Sequence, residues 1–369
     1  MNTRVAALTD LDLESLPALL KSHGCPPSHA RALFRNFYDN NGTLDWQAIE
    51  VGARVQRLFD GEISQRQSTI LRSHTSGDGT TKLLIGMTNG GAVESVLMPS
   101  HRPDRAAGCV SSQIGCAMGC DFCASTKNGF ERNLSAGEIV EQFLHVRATA
   151  ASMGRRLTSL VFMGMGEPML NLPEVIGAIT RIAHGQMGSL GWRQITVSTV
   201  GIVPGIDALA DANLNVHLAL SLHAPDDETR AKLVPMNRRY PVAQIMEAAR
   251  RFQERTGRIC TIEYCLIGDV NDTEDHAHRL SALMSGFRAH VNVIPYNPIG
   301  LGLSGREYRR PSYERVIGFV DLLRDEGVVA HVRATRGDDV NAACGQLRQA
   351  QLGEASPHNE PVPVPVQVK

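Results

Sequence analysis

Cys116-Ala-Met-Gly-Cys120-Asp-Phe-Cys123 places three thiols in one short loop, in the pattern C-x3-C-x2-C. Thiolates are the usual holders of iron–sulfur cubes, normally four to a cube. Three leave one iron with an open position, and a small molecule bearing an amine and a carboxylate suits it. The methionine end of S-adenosylmethionine (SAM) carries both. The spacing therefore predicts a [4Fe-4S] cluster on Cys116, Cys120 and Cys123, and radical chemistry with SAM. Structural zinc is the competing reading, but such sites usually use paired short-spaced cysteine knuckles.

The other chemistry-bearing residues fall where strands should end. Alternating strand and helix patterns from about residue 107 predict strands at 109–113, 160–163, 194–198, 216–221, 259–266, 291–295 and 329–333. Helices are predicted at 135–151, 172–184, 226–234, 242–256, 273–285 and 312–326, with Ser135 and Glu138 forming a capping box. This order implies a parallel sheet with crossover helices, α/β in class, and a partial (β/α)6 barrel. Active sites of such barrels sit at the carboxyl ends of the strands. There the chain places Gly166 and Glu167, then Ser198, then Ser221-Leu222-His223, and later Asn297. Glycines let backbone approach a ligand closely. Glu167 suits an ammonium or a ribose hydroxyl, and the other polar groups suit ribose, adenine or carboxylate. Taken singly, each has an ordinary reading: a tight turn at Gly164–Pro168, a structural histidine at His223.

Two cysteines resist assignment from spacing. Cys109 opens the first predicted strand and Cys344 follows the last one, on a loop with Gly345. Each reads equally as an inert buried thiol or as a working one. Cys25, Cys260 and Cys265 read as structural, the latter two inside a core strand.

Ahead of the barrel, residues 1–75 read as a small helical accessory domain, with apolar residues at helical spacing at Leu13, Leu16, Leu20, Leu33, Phe34 and Phe37. A β-hairpin over 80–100 follows, turning at Asn89-Gly90-Gly91. Glu94 shares its strand face with Ala92, Val96 and Met98, and the ordinary expectation is a solvated edge carboxylate. The barrel is placed at 101–350, and 351–369 reads as a Pro-rich, unpacked tail.

The start carries Arg4, Asp10, Asp12 and Glu14, so it does not read as a signal peptide. No apolar run is long enough for a membrane span. Scattered cysteines outside the triplet exclude a disulfide scaffold, and a reducing cytoplasm fits best. A net charge of −1 does not announce nucleic-acid binding. The pairs Arg155-Arg156, Arg238-Arg239, Arg250-Arg251 and Arg309-Arg310 are the candidates for a local basic face, with ordinary solvated surface as the alternative.

Four segments together resemble the RlmN family of radical SAM RNA methyltransferases. They are Cys109-Val-Ser-Ser-Gln-Ile-Gly-Cys116 through Cys123, Met163-Gly-Met-Gly-Glu-Pro-Met-Leu-Asn, Leu220-Ser-Leu-His-Ala-Pro, and Arg336-Gly-Asp-Asp-Val-Asn-Ala-Ala-Cys-Gly-Gln-Leu. The resemblance implies methylation of adenine C2 in 23S rRNA near the peptidyl-transferase centre, and in tRNA at the adenine 3′ to the anticodon. It implies the cluster on Cys116, Cys120 and Cys123, with two SAM per turnover. SAM contacts fall on Gly166, Glu167, Ser198, Ser221, Leu222, His223 and Asn297. By the same resemblance Cys344 is the S-methylcysteine intermediate. Cys109 resolves it through a transient disulfide, and Glu94 is the proton acceptor. An extra stretch at His101–Gly108 separates Glu94 from Cys109. An electron donor such as flavodoxin, a monomeric chain and a cytoplasmic location complete the expectation. A C8-methylating relative shares nearly all these motifs. A non-catalytic iron–sulfur RNA-binding protein is the reading from another class, and it needs neither Cys109 nor Cys344.

Overall fold

The computed structural model describes residues 6–333 and 336–347. The proposed tail at 351–369 lies outside them.

The N-terminal module holds three helices, α1 (Ser15–Ser22), α2 (His29–Asp39) and α3 (Ala53–Phe59), bracketed by the short parallel pair β1 (Ala6–Ala7) and β2 (Ile63–Ser64). Leu16, Leu20, Leu33, Phe34 and Phe37 are buried in it, as their helical spacing requires. The helical reading fails before residue 75. Ser68–Thr75 is a strand, β3, paired antiparallel with β4 (Thr81–Met87). It is an edge strand whose residues beyond Ser68 are all exposed, so no apolar alternation betrays it.

The hairpin closes with β5 (Ala92–Pro99), which pairs with β6 (Arg105–Cys109). The extra stretch before Cys109 is thus a turn plus most of a strand. The predicted strand at 109–113 divides here. Its second part joins the short β7 (Gln113–Gly115), which pairs with β8 (Phe130–Asn133) around the cysteine loop.

Crossover helices then alternate with strands: α4 (Ala136–Ser152), β9 (Arg156–Phe162), α5 (Leu172–Ala183), β10 (Ile195–Thr199), α6 (Val203–Asp211) and β11 (His217–Ser221). They continue as α7 (Asp227–Leu233), α8 (Val242–Thr256), β12 (Cys260–Leu266), α9 (Glu274–Met284), β13 (Ala289–Pro295), α10 (Tyr313–Asp325) and β14 (Ala330–Val332). Helix α6 is the one the sequence reading omits. Pro204 and Gly205 look like breakers there, yet a proline in the first turn loses no intrahelical hydrogen bond.

One ten-stranded sheet runs in the order β14-β13-β12-β11-β10-β9-β6-β5-β4-β3. From β6 outward through β14 every neighbour is parallel. β3 and β14 remain as edges, so the barrel is partial and open. No helix among the described residues is long and apolar enough to cross a membrane.

Candidate active site

The cysteine loop is shaped by backbone constraints at both ends. Gly115 has φ of 72°, and a Cβ there would sit 1.9 Å from the Gly129 carbonyl oxygen. The Cys116 N–H donates to that same carbonyl at 2.9 Å. Between the cysteines, Asp121 anchors the loop from outside. Its carboxylate accepts from Ser304 N–H (2.7 Å), Ser304 Oγ (2.5 Å) and Tyr308 Oη (2.6 Å). Gly302 packs on Asp121 so closely that a Cβ would lie 2.5 Å from its carbonyl oxygen.

Cys116, Cys120 and Cys123 line one cavity of about 950 Å³, measured with its open mouth. Burial pushes the Cys116 thiol up to about 12 and raises Cys120 and Cys123 as well. Their thiolates therefore need a positive partner, which iron provides. Among the described residues no three His, Cys, Asp or Glu side chains converge on a single-ion site. Three thiols on one cavity wall suit a cube, each thiolate of which holds a different corner.

The strand ends supply the other wall. Gly166, Glu167, Ser198, Ser221 and His223 all line the same cavity. Ser198 Oγ and Ser221 Oγ lie 3.4 Å apart at the ends of β10 and β11. Leu222 is fully buried behind them, its N–H donating to the Glu263 carbonyl at 3.0 Å. His223 has φ of 61°, a conformation in which His is one of the enriched non-glycine residues. Its Nδ1 accepts from the Cys265 N–H at 3.0 Å, which leaves Nε2–H as the ring's donor. Burial, with help from Arg230, pushes His223 down to about 3, so it is neutral.

Three expectations change in detail. Gly164 and Gly166 are required by the chain itself. A Cβ at Gly164 would meet Ser111 and Val110, and one at Gly166 would meet Gln113, all inside 3 Å. Glu167 is partly committed to backbone: Oε1 accepts from Met169 N–H at 3.1 Å and Oε2 from Val200 N–H at 2.9 Å. Burial still raises it to about 7. Asn297 is not among the cavity-lining residues. Its Nδ2 donates to the Cys344 carbonyl at 3.1 Å, and its Oδ1 accepts from Arg310 at 2.7 Å.

The Cys344 loop is tied to the cysteine loop: Ala124 N–H donates to the Gly345 carbonyl at 2.7 Å, and Ser125 Oγ to the Leu347 carbonyl at 2.6 Å. Cys344 is exposed and lines the cavity. Cys109, at the end of β6, is buried and close enough to Cys344 to feel its charge. Burial first, and Cys344 second, push Cys109 up to about 12. The expected Cys109–Cys344 disulfide is not formed here, and both are free thiols.

Glu94 corrects the solvated reading. It is 2% exposed and pairs with Lys82 Nζ at 3.2 Å. Lys82 Nζ also donates to the Asn341 carbonyl at 3.2 Å, so one ammonium links the carboxylate to the Cys344 loop. The strand alternation is right; the partner on the neighbouring strand β4 is what makes burial affordable.

Other residues were not singled out. Arg230 is fully buried and donates to the carbonyls of Leu222, Val200 and Ser221 and to Asn237 Oδ1. Burial lowers it to about 10, with Cys120 the largest opposing influence. Nothing in α7 marks it in the sequence. Arg333 and Glu263 line the cavity and approach to 3.7 Å. Both lie on or at the end of predicted strands, and that position was the available signal. Cys265, read as structural, lines the cavity too.

Together an open parallel sheet and a three-thiol loop at its strand ends define a radical SAM enzyme. Residues 110–280 match the Radical SAM superfamily. A radical SAM methyltransferase from Sphaerobacter thermophilus superposes with a TM-score of 0.87 at 41% identity, covering 93% of this chain and 99% of that one. A probable dual-specificity RNA methyltransferase RlmN 1 from Opitutus terrae is 50% identical over 350 residues, 95% of this chain and 98% of the relative. A ribosomal RNA large subunit methyltransferase N from Nitrosopumilus maritimus is 46% identical over 285 residues, 75% of this chain and 80% of the relative. The chain belongs to the RlmN family of dual-specificity RNA methyltransferases.

Proposed function

We propose that this enzyme methylates adenine at C2, in 23S rRNA at the peptidyl-transferase centre and in tRNA 3′ to the anticodon, through an S-methylcysteine at Cys344. The observation that carries the reading is the direct tie between the cysteine loop and the Cys344 loop, from Ala124 to Gly345 at 2.7 Å. A nucleophilic thiol beside the three-thiol loop suits a methyl carrier. When bound, the cluster and two SAM per turnover supply a methyl group and a hydrogen-abstracting radical.

The chain's own residues do the rest. Cys116, Cys120 and Cys123 hold the cluster. Ser198, Ser221 and the Nε2–H of His223 offer hydrogen bonds to SAM beside the backbone of Gly166 and Glu167. Asn297 holds the Cys344 loop against that wall. The Cys344 thiolate accepts the methyl group by displacement and keeps it as a thioether until its carbon is joined to the adenine. Once the adduct has given up one electron, which the bound cluster would take back, Glu94 accepts the C2 proton beside its partner Lys82. Cys109 then attacks the Cys344 sulfur: the new S–S bond forms as the S–CH2 bond breaks, the departing carbon takes that electron pair and a solvent proton to become the methyl group on C2, and the disulfide is left for an external reductant. An electron-donor protein such as flavodoxin, a monomeric chain and a cytoplasmic location complete the proposal.

The test is anaerobic. Reconstituted protein, reductant, SAM and rRNA or tRNA fragments are incubated, and digested nucleosides are weighed. 2-Methyladenosine in both RNAs is the expected product. 8-Methyladenosine would reassign the position, and unmodified RNA with intact SAM would end the proposal.

A further inference from the structure

Glu94 lies on β5 and Cys344 on the loop after β14, far apart in sequence. Strand β4 and the turn before it join the two. Lys82, on β4, gives its ammonium to Glu94 Oε1 and to the Asn341 carbonyl, each at 3.2 Å. An ammonium has three donors, so it can serve both acceptors at once. Register brings the first contact about. Lys82 stands opposite Val96, and Glu94, two residues back on the same face, is its diagonal neighbour.

The β3–β4 turn grips the same loop a second time. The Asp339 carboxylate accepts from Ser76 Oγ at 2.5 Å and from the Gly77 N–H at 3.2 Å, and the Gly337 N–H donates to Asp78 Oδ2 at 3.3 Å. Gly337 has φ of 63°, and a Cβ there would lie 2.8 Å from the Thr80 methyl carbon, so loop backbone is pressed against the turn. Arg336 donates to the Pro99 carbonyl at 2.6 Å, at the end of β5. Residues 336–341 are thus fastened to the hairpin, whereas residues 344–347 are fastened to the cysteine loop and to Asn297. Cys344 stands where the two grips meet and is itself exposed.

We propose that Lys82 is a positioning residue for the reaction at adenine C2: it fastens the Cys344 loop to the Glu94 carboxylate, with Asp339 bonded to the β3–β4 turn as the second grip. Methyl carrier and proton acceptor must face the same ring carbon, so their separation has to be fixed before the adenine arrives. A lysine bonded to both sides meets that need without touching the reacting atoms. The proposal rests on the reading of Cys344 and Glu94 as methyl carrier and proton acceptor.

The first readout is amide hydrogen exchange, followed by mass on anaerobic, cluster-loaded, full-length protein. K82M, similar in length and without donors, should speed exchange over residues 336–342 by about tenfold and leave β4 and β5 as in the wild type. D339A, which alters the loop and not the hairpin, should speed the same segment by about threefold. The second readout is turnover on RNA. K82M should lower kcat by about tenfold with KM for RNA within about twofold, and K82R, which keeps a charge and donors, should recover most of kcat. Wild-type exchange over 336–342 in K82M overturns the proposal. So does faster exchange spread equally over β4 and β5, which would make Lys82 a support of the hairpin alone. A loosened loop with unchanged kcat overturns it as well. If K82M does not fold, D339A decides, and wild-type exchange in that variant overturns the proposal. A wild type that yields no methylated adenosine, alongside the expected exchange pattern, would end the RNA reading and leave the fastening of the loop by Lys82 in place.

Discussion

Cys116, Cys120 and Cys123 sit in one loop between β7 and β8, whereas Cys109 lies buried at the end of β6 and Cys344 reaches the cavity from beyond β14. The first set is positioned by its neighbours in sequence: Gly115 and Gly129 at the ends and Asp121 in the middle. The second set is positioned by partners distant in sequence: Cys109 by the pairing of β6 with β5 and β9, and the Cys344 loop by bonds from Asn297, Ala124 and Lys82. A cluster can be held by a local loop because its geometry is set by the inorganic core. In the proposed cycle the methyl carrier and its resolving thiol must approach and separate, which suits two thiols on different elements of the fold.

Breaking either set should have different consequences. The largest effect is expected for C116A, which removes one cluster ligand. Iron content and SAM cleavage should fall to background, while Cys344 stays as open to anaerobic alkylation by iodoacetamide as in the wild type, because the Cys344 loop is held by other bonds. Loss of both would show that the two regions are not separable. C344A should retain the cluster's visible absorbance and lose RNA methylation. C109A should form the adduct without releasing it, seen as protein covalently on RNA in a denaturing gel. Normal turnover by C109A, with no adduct, would remove the resolving role.

A smaller effect is expected where one residue serves both walls. Arg230 donates to Val200, Ser221 and Leu222, beneath the rim that faces the cysteine loop. R230M strands those buried carbonyls without donors and should cost about 3 kcal/mol or more in denaturant unfolding. A loss below about 1 kcal/mol would show that water replaces the guanidinium.

The contrast also explains what the sequence made legible. The cysteine loop, the strand–helix alternation and the strand-end polar residues are local patterns, and the folded chain keeps them. The burial of Glu94 was not legible, because its partner Lys82 lies on the adjacent strand and nothing in either strand alone reveals the pair. Strand β3 was missed because an edge strand exposed on both faces carries no alternation. From spacing alone Cys109 and Cys344 stayed ambiguous; only family resemblance joined them, since their proximity depends on the whole sheet. The glycines of Met163-Gly-Met-Gly-Glu were read as ligand-facing, whereas contact with β7 and its lead-in already demands them.

The smallest and most specific effect concerns pH, where two buried groups on the strand-end wall act with opposite sign. His223 falls from 6.5 in the unfolded chain to about 3 in the fold. Between those values the unfolded state binds the extra proton, so stability drops as pH falls from 6.5 toward 3. Glu167 rises from 4.5 to about 7, so between those values the native state binds the extra proton and stability drops as pH rises. Below pH 4.5 only the His223 penalty continues to grow; between pH 6.5 and 7 only the Glu167 penalty does. H223N tests this cleanly, because asparagine also tolerates a positive φ and has no titrating ring. Its stability should lose the acid slope, a difference on the order of 4 kcal/mol accumulated between pH 6.5 and 3 at the full shift. Thermal midpoints of wild type and H223N should therefore converge as the buffer is made more acidic from pH 6.5, before global acid unfolding intervenes. Parallel curves across that range would mean that His223 takes up its proton in the folded protein as readily as in the unfolded chain, and the neutral ring assigned to the cavity wall below pH 6.5 would have to be abandoned.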